Sequence, residues 1–196
     1  DIEKLLNEKY LVENYEKFKK LKKKSFIHNF EEVFSSTTHF SLVDKFNNVL
    51  SATSSIESSF GSRLFTNGFF LNNQLTDFSF KITDDSGVLI KNRPQAEKKP
   101  LSSMSPLIIF DNNKNFYMTV GSPGGKAIIS YVFKSLISTL YLNKNIEIAI
   151  NEPNYIKIKD KIFVETDSLR DIVKQNALKR NLTSGLAIII KKKKEF

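Results

Sequence analysis

Between residues 2 and 23, apolar side chains recur mostly three to five positions apart, at Ile2, Leu5, Leu6, Tyr10, Tyr15, Phe18 and Leu21, with charges between them. That spacing predicts an amphipathic helix, basic toward its C-terminal end. A polar, serine-rich segment leads to Thr37, where the period drops to something closer to two. Phe40 and Leu42, then Val49 and Leu50, predict a β-hairpin that turns over Lys45 to Asn48. A second apolar run, Leu64 to Leu71, is broken by Asn67-Gly68, another turn signal. Residues 80–100 are polar and Lys-rich and carry Pro94 and Pro100. They predict a long loop, uncommon in a compact domain unless it has work to perform.

Two strand-like runs follow, Leu107 to Phe110 and Phe116 to Val120, joined by the turn Asp111-Asn-Asn-Lys. Gly121-Ser-Pro-Gly-Gly125 then leads into an apolar-periodic run, Ala127 to Leu142, which predicts a helix. A later helix over Ser168 to Arg180 and a final strand over Leu186 to Lys191 complete the pattern. Strands at the centre and helices at the flanks describe a mixed α/β (α+β) chain without internal repeats.

Composition removes several chemistries. With 196 residues, 40% hydrophobic and 26% charged, the chain is long enough for one well-packed domain. No stretch approaches the roughly 20 apolar residues of a membrane-spanning helix. The first residue is Asp, so any signal peptide is expected upstream, and the chain is expected to be a piece of a longer protein. The absence of cysteine excludes disulfides, Cys-ligated zinc and thiol catalysis. There are two histidines, His28 and His39, no Gly-x-Ser-x-Gly elbow and no His/Asp cluster at ligand spacing. Neither a histidine-assisted triad nor a metal centre is therefore expected, and no cofactor. The net charge of +9 raises nucleic acid or an anionic membrane surface as a partner. The lysines gather in Lys19 to Lys24, Lys157 to Lys161 and Lys191 to Lys194, and no nucleic-acid motif accompanies them. A solvated lysine surface is the expected role, with no nucleic-acid partner.

One hydroxyl chemistry needs neither His nor Cys. A threonine at a chain N-terminus can use its own α-amine as the base for its own Oγ. The reference pKa of that amine is about 8, so a useful fraction is unprotonated near neutrality. Thr37, in Ser35-Ser36-Thr37-Thr38, is internal and would need a cut before it; alternatively these residues are only a linker and the start of a strand. Gly121 to Gly125 lies at a strand-to-helix junction, where backbone N–H groups favour negative charge. It suits an oxyanion hole, or is an ordinary connector; the Lys-Ser/Thr pair of a phosphate loop is missing. Gln74 and Asp77, and the adjacent Ser102 and Ser103, are either loop polarity or ligand contacts.

Taken in order, "TTHFSLVDKFNNVLSATSS", "FGS", "FLNNQLTDFS", "KPLSSMSP" and "TVGSPGG" resemble the small subunit of the γ-glutamyltranspeptidases, which are N-terminal-nucleophile hydrolases. The match runs from about Thr37 to Leu142, and residues 1–36 resemble the tail of that family's large subunit. The resemblance implies a four-layer αββα sandwich, present here in part, with residues 37–196 as the small-subunit catalytic region. It implies self-cleavage at Ser36–Thr37 and a Thr37 nucleophile acting on γ-glutamyl compounds such as glutathione, with water or an amino acid or peptide as acceptor. By position, Gly124 and Gly125 match the oxyanion pair, and Ser102 and Ser103 the serines that bind the donor's α-carboxylate. Asp77 and Gln74 match the pair at its α-ammonium, and Ser55 replaces a Thr whose hydroxyl contacts the nucleophile. A large subunit from the same precursor is the implied partner, and a periplasmic or secreted location the implied compartment.

Several residues depart from the family pattern. Glu57 stands where Asn is usual, and we expect Glu57 and Asp77 to bind the ammonium together, with Gln74 neutral. Asn154-Tyr-Ile-Lys replaces a His-His-Gln stretch after Pro153, and the chain stops at Phe196 without the usual Asp-Pro-Arg ending. The arginine that completes the α-carboxylate site belongs to the large-subunit body. An acylase or a poly-γ-glutamate transpeptidase of the same fold, and an inert relative serving as a binding module, are the competing readings.

Overall fold

The computed structural model describes residues 7, 9, 10, 12, 13, 35–158, 161–173, 177–179 and 185–190. The chain forms two compact units, Asp1–Glu32 and Val33–Phe196. In the first, residues 9, 10, 12 and 13 are helical, and Tyr10 N donates to Asn7 Oδ1 at 3.1 Å, a side-chain cap on the turn. The rest of the helix expected over residues 2–23 lies outside the described residues.

The second unit begins with the expected hairpin. Strand β1 (Ser35–Val43) pairs antiparallel with β2 (Val49–Ser58). Asp44 organises the turn: its Oδ1 accepts from Phe46 N and Asn48 N, both at 2.8 Å. The strand starts at Ser35 and not at Thr37, so the Ser36–Thr37 bond lies in extended backbone. Pairing steps from Ser35↔Ser58 to Thr37↔Ser55, so Ile56 and Glu57 together oppose Ser36. This is a β-bulge on β2, and Glu57 takes a φ of 70° to form it. Thr37, His39 and Ser41 share one face of β1. Phe40 (44% exposed) and Leu42 (57% exposed) project from the other.

Two short strands, β3 (Phe65–Thr66) and β4 (Phe69–Phe70), turn at Asn67-Gly68 as expected. A 3₁₀ turn, Gln74–Asp77, follows. The stretch from residue 78 to 106 carries no strand or helix, only an isolated bridge between Thr83 and Leu89.

Strand β6 (Phe116–Gly121) is the centre of the unit, paired antiparallel with β5 (Leu107–Phe110) and with β10 (Ala187–Ile190). Its alternation decides the layering. Met118 and Val120 are fully buried against Ile128 and Val132 of helix α1 (Ile128–Leu136). Thr119 and Gly121 face the hairpin, where Ser41 Oγ and Thr119 Oγ1 lie 3.2 Å apart. Two β layers are thus stacked and backed by a helix. A 3₁₀ turn (Gly125–Ala127) precedes α1 and a π turn (Ile137–Tyr141) extends it, close to the helix expected over Ala127 to Leu142.

The C-terminal part differs more from expectation. Helix α2 (Ile146–Asn151), capped by Asn145, was not signalled, nor were strands β7 (Tyr155–Ile158) and β8 (Lys161–Val164). The Lys157 to Lys161 run hides a hairpin that buries Ile156 and Phe163 against Ala127 and Tyr131. The helix expected over Ser168 to Arg180 is shorter: α3 spans Asp167–Val173, and Ala177–Lys179 form β9, parallel to β8. Ala177, only 2% exposed in that pairing, makes strand rather than helix the favourable state. Among the described residues no helix is long and apolar enough to cross a membrane.

Candidate active site

The hairpin register sets Thr37 opposite Ser55, and their hydroxyls meet: Thr37 Oγ1 and Ser55 Oγ are 3.0 Å apart. Ser55 Oγ also accepts from Glu57 N at 2.9 Å, a bond that the bulge makes possible by turning the Glu57 backbone. A backbone donor thereby occupies one lone pair of Ser55 beside the Thr37 hydroxyl.

His39, one step along the same face, has Thr53 Oγ1 2.8 Å from Nδ1 and Ser41 Oγ 3.0 Å from Nε2. Burial lowers its pKa below the ordinary value, favouring the neutral ring. Ser41 continues to Thr119, whose Oγ1 donates to Leu107 O at 3.0 Å. The ring lies over Gly121: a Cβ there would stand 2.1 Å from His39 Cε1. Ser41 meets Thr119 and His39 meets Gly121, so the hairpin runs along β6 with its Thr37 end toward the segment that follows Gly121.

That glycine turn is held from both sides. Gly124 has φ 136°, and a Cβ on it would meet Tyr131 Cε2 at 2.5 Å. Gly125 follows at φ 55°. Only a residue without Cβ suits the Gly124 conformation under the Tyr131 ring, and Gly125 adds a left-handed step that glycine takes without strain. Burial, with Glu165 nearby, pushes the Tyr131 phenol up to about 12, so the ring beneath the turn stays neutral. Ser122 Oγ donates to Pro123 O at 2.6 Å, and Gly185 packs against the Pro123 ring. The turn opens the helical segment that continues as α1, where the first N–H groups lack intrahelical partners.

The residues expected at the ammonium gather at the end of β2. Glu57 Oε2 accepts from Ser58 Oγ at 2.5 Å and from Asn73 Nδ2 at 2.7 Å. Gln74 Nε2 donates to Asp77 Oδ2. Burial holds the Asp77 carboxyl above its usual range; the Gln74 bond opposes this, the Glu57 charge adds to it and Lys126 counters it. Two carboxylates therefore share one locality, which favours a cation between them. Ser102 is exposed and Ser103 half-buried, with Ser102 Oγ accepting from Met104 N at 3.2 Å. The serine segment is tied to Asp77 through Asn92, whose Nδ2 donates to Asp77 O at 2.7 Å and whose Oδ1 accepts from Leu101 N at 3.0 Å.

Asn73, Asn92, His39 and Lys126 were not singled out for these places. Asn73 carried a usable signal, since it adjoins Gln74 inside "FLNNQLTDFS"; Asn92 looks like any other polar loop residue. The residues that replace the His-His-Gln stretch are structural: Asn154 N and Nδ2 both donate to Glu165 Oε2, at 2.7 and 3.1 Å, pinning β7 to β8. Among the described residues no three His, Cys, Asp or Glu side chains are grouped to hold a metal ion.

Comparison with known proteins bears on the family and the fold. Residues 1–188 match the family model of gamma-glutamyltranspeptidase. The chain is 39% identical over 125 residues to a glutathione hydrolase proenzyme of Bacillus subtilis, covering 63% of the chain and 20% of that protein. It is 34% identical over 148 residues to the glutathione hydrolase proenzyme of Escherichia coli, covering 71% and 25%. The chain thus spans a fifth to a quarter of the length of these relatives. Among solved structures, the T380A mutant of Helicobacter pylori gamma-glutamyltranspeptidase superposes with a TM-score of 0.67 at 32% identity, covering 78% of this chain and 90% of that one. The fold is therefore the α+β arrangement of the N-terminal-nucleophile hydrolases, and the chain belongs to the gamma-glutamyltranspeptidase family.

Proposed function

We propose that this chain is the processing segment and most of the small subunit of a γ-glutamyltransferase/hydrolase precursor, a glutathione hydrolase. The observation that carries the proposal is the contact between Thr37 Oγ1 and Ser55 Oγ across the hairpin. In the precursor, Thr37 Oγ attacks the Ser36 carbonyl, the peptide becomes an ester, and water releases Ser36 as a carboxylate with a free Thr37 amine. The boundary between subunits then falls at 36/37.

In turnover the Thr37 amine accepts the Oγ proton as Oγ adds to the γ-carbonyl of the donor. The N–H groups of Gly124 and Gly125 hold the oxyanion, a contribution of about 3 to 4 kcal/mol per donor in comparable sites. Collapse expels the leaving amine, which takes the proton and leaves a γ-glutamyl ester on Thr37. Water yields glutamate, or an amino acid or peptide amine yields a new γ-glutamyl amide. Glu57 and Asp77 bind the donor ammonium, Gln74 holds Asp77, and Ser102 and Ser103 bind the α-carboxylate with an arginine from the large subunit. By the same family resemblance the protein works in the periplasm or outside the cell.

The test uses the full-length precursor. A new N-terminus at Thr37 by mass spectrometry, with release from γ-glutamyl p-nitroanilide that Thr37→Ala abolishes, is the expected result. Cleavage with release only from acyl-lactam substrates would identify an acylase. Absence of both cleavage and release would identify an inert relative.

A further inference from the structure

Asn73 stands between the two halves of the recognition cluster and bonds to each. Its N–H donates to Ile56 O at 3.3 Å and its Oδ1 accepts from Ser58 N at 3.0 Å, which fixes it to the end of β2. Its carbonyl accepts from Thr76 N at 2.9 Å and from Thr76 Oγ1 at 2.8 Å, closing the turn that carries Gln74 and Asp77. Between these anchors, Nδ2 shares its protons among Glu57 Oε2 at 2.7 Å, Thr76 Oγ1 at 2.9 Å and Ser58 Oγ at 3.0 Å.

We infer that Asn73 is a positioning residue for donor recognition: it sets the Glu57 carboxylate relative to Asp77, and through that pair the affinity for the donor's ammonium. The inference rests on the reading that this site takes a γ-glutamyl donor. The chemistry demands a primary amide. A carbonyl oxygen must meet the Ser58 N–H while an NH₂ group meets the Glu57 carboxylate. An aspartate of the same shape serves Ser58 but sets like charges against each other at Glu57. A glutamine is one carbon too long to make both bonds from this backbone position.

The experiment compares four forms of the full-length precursor on γ-glutamyl p-nitroanilide: unaltered, Asn73→Asp, Glu57→Gln, and the two combined. Asn73→Asp is expected to raise KM about tenfold with little change in kcat, the scale of one lost charge-assisted hydrogen bond. Glu57→Gln raises KM by itself. Adding Asn73→Asp to it should then change KM by less than about twofold, because a glutamine amide can donate to the new carboxylate. The same penalty in both backgrounds, or a fall in kcat at constant KM, would overturn the inference. Glutaryl p-nitroanilide lacks the ammonium, and its KM should not respond to Asn73→Asp; equal losses on both donors would make Asn73 a merely structural residue. If Asn73→Asp does not fold, as judged by its thermal transition, Ser58→Ala replaces it, since it removes another donor to the same Glu57 oxygen. An effect of Ser58→Ala confined to the ammonium-bearing donor supports the inference, and an equal effect on both donors overturns it. An unaltered protein that releases nitroaniline from neither donor defeats the γ-glutamyl reading itself, and this inference with it.

Discussion

The hydroxyl oxygens of Thr37 and Ser55 face each other across the hairpin at 3.0 Å, and Ser55 is itself held by the Glu57 backbone N–H at 2.9 Å. The nucleophile's rotamer is thus set by a strand partner and, behind it, by a bulge. Removing the hydroxyl with Ser55→Ala should lower kcat by roughly 10-fold, the scale of one lost hydrogen bond that orients the attacking oxygen. Ser55→Thr should retain most of the activity. Steady-state release of p-nitroaniline by the full-length protein measures both, and an unimpaired Ser55→Ala would remove Ser55 from the mechanism.

Glu57 occupies left-handed backbone space at φ 70°, where a glutamate is strained and an asparagine much less so. Glu57→Asn should therefore stabilise the fold by about 1 kcal/mol while raising KM for the donor. The two effects have opposite signs and are read by denaturant unfolding and by kinetics. A destabilised Glu57→Asn would show that the bonds from Ser58 and Asn73 outweigh the backbone strain.

Asp77 must be ionised to hold an ammonium, and its pKa lies above the ordinary 3.8, chiefly through burial and further through the Glu57 charge. Donor affinity should fall as acid protonates Asp77, so the acid limb of kcat/KM lies above 3.8. Glu57→Gln removes a like charge and should move that limb toward lower pH. The stability contribution has the other sign: a raised carboxyl pKa favours folding at low pH, and that benefit is lost as pH rises through the elevated value. A limb that moves upward in Glu57→Gln would contradict the assignment.

His39 fills the space in which Gly121 would carry a side chain. Gly121→Ala should destabilise the protein by about 1 to 3 kcal/mol in the presence of the imidazole. In a His39→Ala background the same substitution should cost much less, since the colliding ring is gone. Equal costs in the two backgrounds, measured by thermal unfolding, would show that the ring and the glycine are not packed as described.

How far this could be read from the sequence varied with the physics. The first hairpin was legible because its period and its turn agree. The order of Thr37, Gln74, Asp77, Ser102, Ser103 and the glycine pair along the chain carried the family. The bulge at Glu57 was not legible, because nothing in a glutamate announces positive φ; only the fold imposes it. Strands β7 and β8 were masked by Lys157 and Lys161 beside their turn. Ala177 to Lys179 continues a plausible helical pattern and becomes a strand only through parallel pairing with β8, which no local window contains. Asn73 and Asn92 are distinguished from other loop amides by what they bond, not by what they are.

The inner face of β1 carries Thr37, His39 and Ser41, and the outer face carries Phe40 and Leu42. This is the reverse of an ordinary surface hairpin. Here the hydroxyls and the imidazole are half-buried, with Ser41 and His39 against β6, and the oily side chains are turned outward. A hairpin arranged in this way trades solubility for reactivity. It would be prone to self-association whenever that face stands uncovered, so keeping the nucleophile in a sheltered polar seam and keeping the protein soluble become a single problem of assembly.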